Sequence, residues 1–555
     1  MRSLEIVILA LVIVGSGAAM FRVRIPRRAV LASGLIALVA FVAHVLLEGT
    51  RWQMVPAYLG LALAFLMLMR FSNGRPEKKK RRFAKAILSG LIRFVVLPVL
   101  VVVACFIPWA VPVFEIPDPS GPYGIGVTDF EVDFEDRAEI YTADEDDHRE
   151  VMVRAWYPAE VAQGSTPMPY LTEAELGPVV EFVGVAAPVP WFFNHLPLVA
   201  THSHREADIA ATEGPFPVLV FSHGYGSSFA QNTPLMEELA SHGYVVFSIA
   251  HTYDGVTLFP DGRAPGVGEH FVRAEAYWQG EEGKRVIEEW ERGTAEKDGA
   301  VRRAALERRI AQERAFRAEV LGSGSSWEVW IDDRLGFFAV LGELGSGARP
   351  SLFAGKLDLG RVGLFGMSFG GNTAAEVCHL RPECRASVNL DGNHYSGVDS
   401  TLLDGASPRP LMMVYASEWT LDSPTPANPG DFLAANDFYY GLPEARGLRD
   451  DIIRLRIAGT THVALTDFSL MMRGIPGMSS GTSGDRVAEI LNGYCLAFFD
   501  EYVKGEGGRS PLLDGPTPEF PEVSLQTFGH AFADRRPPDT EVPDLPEEPE
   551  AGPES

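Results

Sequence analysis

Two serines in this 555-residue chain sit in the pattern G-x-S-x-G: Ser368 in Gly366-Met367-Ser368-Phe369-Gly370, and Ser479 in Gly477-Met478-Ser479-Ser480-Gly481. A serine hydroxyl is a weak nucleophile until a neighbouring imidazole takes its proton during attack, and a buried carboxylate fixes the tautomer of that imidazole. The pattern supports such chemistry only where a strand runs into a tight turn that opens a helix. Ser368 has this context: Val362, Leu364 and Phe365 supply an apolar strand, and residues 372–380 read as a helix whose N-terminal dipole faces an oxyanion formed at the serine. Gly366 and Gly370 suit a strained apex where strand and helix approach too closely for Cβ atoms. Ser479 instead follows Arg473-Gly474-Ile475-Pro476 and precedes Ser483-Gly484, which reads as a loop.

Of the 13 histidines, His379, His394, His462 and His530 follow Ser368. His379 lies on the helix after the turn, His530 near the tail, and His394 only three residues beyond Asp391. His462, in Gly459-Thr460-Thr461-His462 after a strand over Ile452–Ile457, is therefore the base. The acid stays open at this point. Asp391 ends the strand after the turn, Glu418 and Asp422 follow the next strand, and Asp467 is a third, more remote choice. For the oxyanion, the N–H of Phe369 follows from the turn itself, and the second donor belongs to the loop after an earlier strand, with Tyr225 in Ser222-His223-Gly224-Tyr225-Gly226 the candidate. With no H-E-x-x-H and no clustered His/Cys set, neither a metal nor a cofactor is expected.

The elements that would carry these residues alternate. Strands over 127–134 and 150–157 precede the continuous apolar run 216–221, a helix over 234–242 and a strand over Val245–Ala250. Further strands at 386–390, Leu411–Ala416 and Ile452–Ile457, the last expected, flank a closing helix over 487–503. The fold class is α/β, a mostly parallel, doubly wound sheet with the site beyond the carboxyl ends of its strands. Residues 167–205, irregular and rich in prolines and aromatics, read as a packed surface loop, with a substrate-facing cap as the alternative. A charged insertion around 255–350 carries helical hairpins with solvated faces over 281–320, a lid over the site being the alternative, and a helix over 327–344 leading back to the sheet.

An all-α membrane region is expected over 1–114, ahead of a catalytic domain at 115–530 and a disordered, acidic and proline-rich tail at 531–555. Its apolar runs are 4–20, 29–47, 54–69 and 94–114. Arg22, Arg24, Arg27 and Arg28 follow the first run and a basic cluster from Arg70 to Lys85 follows the third, whereas Arg51 alone lies between the second and third. The positive-inside rule then places the lipid-bilayer-anchored catalytic domain outside the cytoplasm. The net charge of -25 excludes a polyanionic partner such as nucleic acid. In an oxidising compartment Cys378 and Cys384 are close enough in sequence to pair.

The chain resembles the plasma-type platelet-activating factor acetylhydrolases and their bacterial relatives, a family of the α/β-hydrolase superfamily. The resemblance rests on Gly121-Pro122-Tyr123-Gly124-Ile125-Gly126 with Asp129-Phe130, Ala155-Trp156-Tyr157-Pro158, Phe221-Ser222-His223-Gly224, Ser368-Phe369-Gly370-Gly371, Leu390-Asp391-Gly392, and Gly459-Thr460-Thr461-His462 with Thr466-Asp467-Phe468. It implies an α/β-hydrolase fold, Asp391 as the acid, Tyr225 and Phe369 as oxyanion donors, and phospholipids with short or oxidised acyl chains as substrates. A broader esterase resembling polyester or dienelactone hydrolases, and a non-catalytic membrane protein on a dead hydrolase fold, are the rival readings. Met367, where the family commonly has histidine, and the insertion at 281–320 are departures that bear on substrate range.

Overall fold

The computed structural model describes residues 2–72, 83–144, 146–186, 193–212, 214–294, 299–321, 325–392, 409–417, 451–471, 481–505, 508–515 and 517–528. Ser479, Glu418, Asp422, His394, His530, the 531–555 tail and most of the basic cluster between Arg70 and Lys85 lie outside the described residues. The chain divides into two compact units: Met1–Ile116 with Pro169–Thr201 and Leu470–Met478, and Pro117–Met168 with His202–Ser469 and Ser479–Ser555.

In the helical unit, among the described residues, four helices are long and apolar enough to cross a bilayer: Ser3–Met20 (α1), Arg27–Glu48, Trp52–Ser72 and Ile87–Ala110. The fourth starts before the apolar run at 94–114 and stops short of its end, because the weakly polar turns before Phe94 continue the helix while Val111 leaves helical geometry at φ -126° and ψ 78°. Large apolar side chains such as Leu46, Leu47 and Val14 stay exposed on these helices. Inside, Arg51 and Glu5 are a fully buried ion pair at 2.7 Å, and Arg51 also donates to the carbonyl of Val111, so neither charge lacks a partner. The stretch read as an irregular loop contains a further helix, Glu173–Ala186. Thr172 and Glu175 cap its start reciprocally, a signal that the surrounding prolines obscure.

The other unit is built on a sheet whose described strands are β1 (Gly124–Ala138), β2 (His148–Glu160), β3 (Ser203–Arg205), β4 (Asp208–Ile209), β5 (Phe216–Ser222), β6 (Val245–Ala250), β7 (Leu357–Met367), β8 (Cys384–Leu390), β9 (Leu411–Ala416), β10 (Ile452–Ile457) and β11 (Val523–Phe528). Their order is β11-β10-β9-β8-β7-β5-β6-β2-β1-β3, with β4 paired to β2. From β6 to β10 every neighbour is parallel; β2 and β11 join antiparallel at the two ends. Side chains alternate across this sheet as strand geometry requires. Leu219, Phe221, Phe365 and Met367 face one core with Leu235 and Leu239 of the helix Thr233–Ser241 and with Ile490 and Phe498 of Gly484–Phe499. Val218, Val220, Val362 and Leu364 face the other with Phe337 and Leu341 of Ser326–Ser346 and with Val377 of Phe369–Leu380. Being buried on both faces is why these strands read as unbroken apolar runs.

The chain leaves β5 for β6 on one side and returns at β7 on the other. Ser222 is thereby paired with Gly366, and the carboxyl ends of β5 and β7 open side by side. Such a reversal of strand order is where α/β sheets place their ligand crevice.

Candidate active site

Ser368 stands at the junction of β7 and the helix Phe369–Leu380 with φ 53° and ψ -118°, a left-handed-side conformation costly for a residue with a Cβ. Three backbone bonds hold it: its N–H donates to Leu390 O (2.7 Å), and its carbonyl accepts from Gly371 N and Asn372 N. The flanking glycines are required by contact. A Cβ on Gly370 would lie 2.1 Å from Ser222 O, and one on Gly366 would lie 2.3 Å from the carbonyl of Gly370. Met367, by contrast, is buried among the core residues on the sheet face it shares with Phe365. Strand alternation turns it away from the cavity, so its bearing on substrate range is indirect.

His462 opens a 3-10 turn after β10, and its Nε2 lies 3.0 Å from Ser368 Oγ. Its Nδ1 lies 2.6 Å from Asp391 Oδ2. Asp391 follows β8 with φ 55°, is buried, and accepts the N–H of Ala416 on Oδ1 at 2.8 Å. A carboxylate only accepts, so Nδ1 must carry the proton and Nε2 must offer its lone pair to the serine. Reciprocal bonds between Ser417 and Thr460 tie the ends of β9 and β10 and fix the loop bearing His462. Asp467, the remote alternative, instead accepts the N–H of Thr233 at the start of the helix Thr233–Ser241.

In the turn after β5 the N–H groups of Gly224, Gly226 and Ser227 are occupied by Gln231 Oε1, Asp254 O and Gly224 O. The N–H of Tyr225 has no acceptor among the described residues, and neither has that of Phe369. Phe369 follows Ser368 directly and Tyr225 lines the same cavity; two unsatisfied donors beside a serine are the arrangement that can stabilise a tetrahedral oxyanion. The Tyr225 ring stacks on Phe271 at 4.7 Å, and its hydroxyl is held well above the usual phenol range by burial, with the Asp254 carboxylate adding to the effect.

A cavity of about 470 Å³ lies over Ser368 and His462. The insertion supplies its outer wall: Trp278 from the helix Glu269–Gln279, Ile287 from Glu281–Thr294, and Arg309, Glu313 and Phe316 from Gly299–Phe316. Arg309 and Glu313 form an ion pair at 3.1 Å with the guanidinium 4.7 Å above the Trp278 ring. The hairpins expected from the charge pattern thus line the cavity with one face and keep solvated charges such as Glu281, Lys284 and Arg285 on the other.

Sequence reasoning missed a second polar group, fully buried behind the turn. Ser222 Oγ lies 2.8 Å from His251 Nε2, and His251 Nδ1 lies 2.8 Å from Asp333 Oδ2. Arg149 braces Asp333 from the other side at 2.8 Å. Burial pushes His251 down to about 4 and His223 to about 3, so both rings are neutral at neutral pH. The available signal was Asp333-Arg334 set among Trp330, Phe337 and Leu341 on the core-facing stripe of a helix.

The platelet-activating factor acetylhydrolase, isoform II, family model matches residues 110–267. A platelet-activating factor acetylhydrolase from Cavia porcellus is 24% identical over 435 residues, covering 74% of this chain and 84% of that protein. One from Canis lupus familiaris is 28% identical over 161 residues, covering 28% of this chain and 33% of that protein. Among solved structures, a ferulic acid esterase from Streptomyces cinnamoneus superposes with a TM-score of 0.49 at 22% identity, covering 75% of this chain and all of that one. With a mostly parallel sheet flanked by helices, this chain has an α/β-hydrolase fold and is similar in sequence to the platelet-activating factor acetylhydrolase, isoform II, family.

Proposed function

We propose that this ester hydrolase works through an acyl-serine intermediate, with Ser368 as nucleophile, His462 as base and Asp391 as its orienting acid. The observation that carries the reading is the unbroken path from Asp391 Oδ2 through His462 to Ser368 Oγ, at 2.6 and 3.0 Å. Ser368 Oγ attacks the ester carbonyl while its proton passes to His462 Nε2, and the negative charge gathering on the carbonyl oxygen meets the N–H groups of Tyr225 and Phe369. The carbon–oxygen bond to the alcohol then breaks, and the alcohol leaves with the proton from His462. Water repeats the sequence on the acyl-enzyme and releases the acid.

The substrates we assign are phospholipids with short or oxidised sn-2 acyl chains. Two features support this class: similarity to platelet-activating factor acetylhydrolases, and a mainly apolar cavity of about 470 Å³, within the size range of sites that enclose small ligands. Four apolar helices support attachment to a bilayer. The basic loops and the Cys378–Cys384 disulfide support an extracytoplasmic catalytic domain, because structural disulfides persist in oxidising compartments.

The test is labelling of the full chain by a fluorophosphonate, followed by comparison of sn-2-acetyl phosphatidylcholine with p-nitrophenyl esters. Labelling of wild type and its loss in Ser368→Ala are expected; labelling that persists in the variant would sink the nucleophile assignment. Turnover of p-nitrophenyl esters without turnover of the phospholipid would replace the phospholipid class by a broad esterase.

A further inference from the structure

Ser222, His251 and Asp333 repeat the residue types of the candidate site, yet all three are fully buried. The direction of every bond among them is determined. Asp333 accepts, so His251 Nδ1 donates to it. Arg334 Nε donates to Ser222 Oγ at 2.7 Å, so the serine proton points to His251 Nε2, which accepts at 2.8 Å. The backbone N–H of His251 donates to His223 Nε2 at 3.2 Å, which leaves His223 Nδ1–H to donate to Gly224 O at 2.7 Å. Trp330 stacks on the His251 ring at 3.8 Å and closes the group from one side. Arg334 also donates through Nη2 to Phe365 O on β7 at 2.7 Å.

This chain of bonds ends on the two strand termini that carry the oxyanion donors. Its His223 branch pins the carbonyl of Gly224, and the peptide between Gly224 and Tyr225 is planar, so fixing that oxygen fixes the opposite direction of the Tyr225 N–H. Its Arg334 branch ties β5, at Ser222, to β7, at Phe365, three residues before Ser368. We propose that Ser222, His251, Asp333 and Arg334 are positioning residues that set the Tyr225 N–H against the oxygen of the tetrahedral intermediate formed at Ser368. None of the four touches substrate. Ser222 is no second nucleophile, because its oxygen already accepts from Arg334 and its side chain is fully buried.

The inference rests on Ser368 as nucleophile and Tyr225 as oxyanion donor, and the experiment separates the two. Ser222→Ala removes one hydroxyl and leaves the candidate triad intact. For the detergent-solubilised full chain, with active sites titrated by fluorophosphonate, kcat on p-nitrophenyl acetate is expected to fall roughly tenfold or more, part of what loss of a whole oxyanion donor costs, with KM within about twofold. Affinity for a trifluoromethyl ketone, which adds to the serine to form a tetrahedral oxyanion, is expected to fall by the same factor as kcat. A folded Ser222→Ala enzyme with wild-type kcat per titrated site and only a lowered thermal midpoint would overturn the proposal and leave the network purely structural. Should that variant not fold, Arg334→Lys serves: one ammonium reaches Ser222 Oγ or Phe365 O but not both, so the same parallel loss is expected, and wild-type kcat overturns the proposal. Absence of labelling in the wild type would instead overturn the nucleophile assignment.

Discussion

Replacing Asp391 by Asn tests whether the buried acid sets the tautomer of His462. The change is isosteric, and Asn tolerates the positive φ of 55° that this position adopts, so the fold is expected to survive. The carboxylate accepts two bonds, from His462 Nδ1 at 2.6 Å and from Ala416 N at 2.8 Å. An amide offers one oxygen and one NH₂. If the oxygen keeps Ala416, the NH₂ faces Nδ1, the imidazole proton moves to Nε2, and nothing at Nε2 can accept from Ser368. If the oxygen faces His462, the NH₂ opposes the buried Ala416 N–H, which costs about 1–3 kcal/mol for an unsatisfied group. In either arrangement the imidazolium formed during attack loses a charge-assisted bond of about 1.5–3 kcal/mol. Together these terms are about 2.5–6 kcal/mol, or roughly 60- to 10⁴-fold in kcat at about 1.4 kcal/mol per tenfold. The assay is kcat and KM for p-nitrophenyl acetate at pH 7.5, with the thermal midpoint recorded alongside. Asp391→Asn retaining more than a tenth of wild-type kcat would refute the reasoning, as would a comparable loss in Glu418→Gln, the rival acid that spacing alone left open.

Two further outcomes concern stability. Because burial holds His251 near 4 and His223 near 3 in the folded chain against about 6.5 unfolded, the unfolded state binds more protons below pH 6.5. Stability should therefore be complete above about 6.5 and fall by a few kcal/mol as pH drops through 4; thermal midpoints that stay level from pH 7 to 4.5 would contradict this. The Cys378–Cys384 disulfide joins the helix after the elbow to β8, and for so short a loop the paired Cys→Ala exchange is expected to cost about 2 kcal/mol, read as a lower denaturant midpoint with kcat per titrated site retained.

Much of this architecture is legible in the residues because its strands are buried on both faces. The runs at β6, β9 and β10 stop where the strands stop, and polar residues at their carboxyl ends mark the site. What stays hidden depends on contacts between distant segments. β11 is a short edge strand in which Val523 and Leu525 are buried, entered through proline-rich residues that read as loop. The roof over the site joins Trp278 and Arg309 to Ser368 across long stretches of chain, and no local periodicity reports such a contact. Met367 is the instructive case. Adjacency to the nucleophile suggests a role at the substrate, but the two-residue period of β7 places it with Phe365 on the core face.

The two Ser–His–Asp groups show why residue types do not assign a nucleophile. Both have an imidazole oriented by a carboxylate, at 2.6 Å in one and 2.8 Å in the other. In the group at Ser222 a guanidinium donates to the serine oxygen, and attack would require breaking that bond within a closed core. Its imidazole, held at about 4 by burial, is also too weak a base for neutral pH, where a catalytic group works best with a value near that pH. At Ser368 the oxygen faces a cavity, its bond to His462 is the one that the proposed attack would use, and the Phe369 and Tyr225 residues line the same cavity. Access and unspent donors separate the group proposed to react from the group proposed to hold it in place, and both follow from where β5 and β7 end.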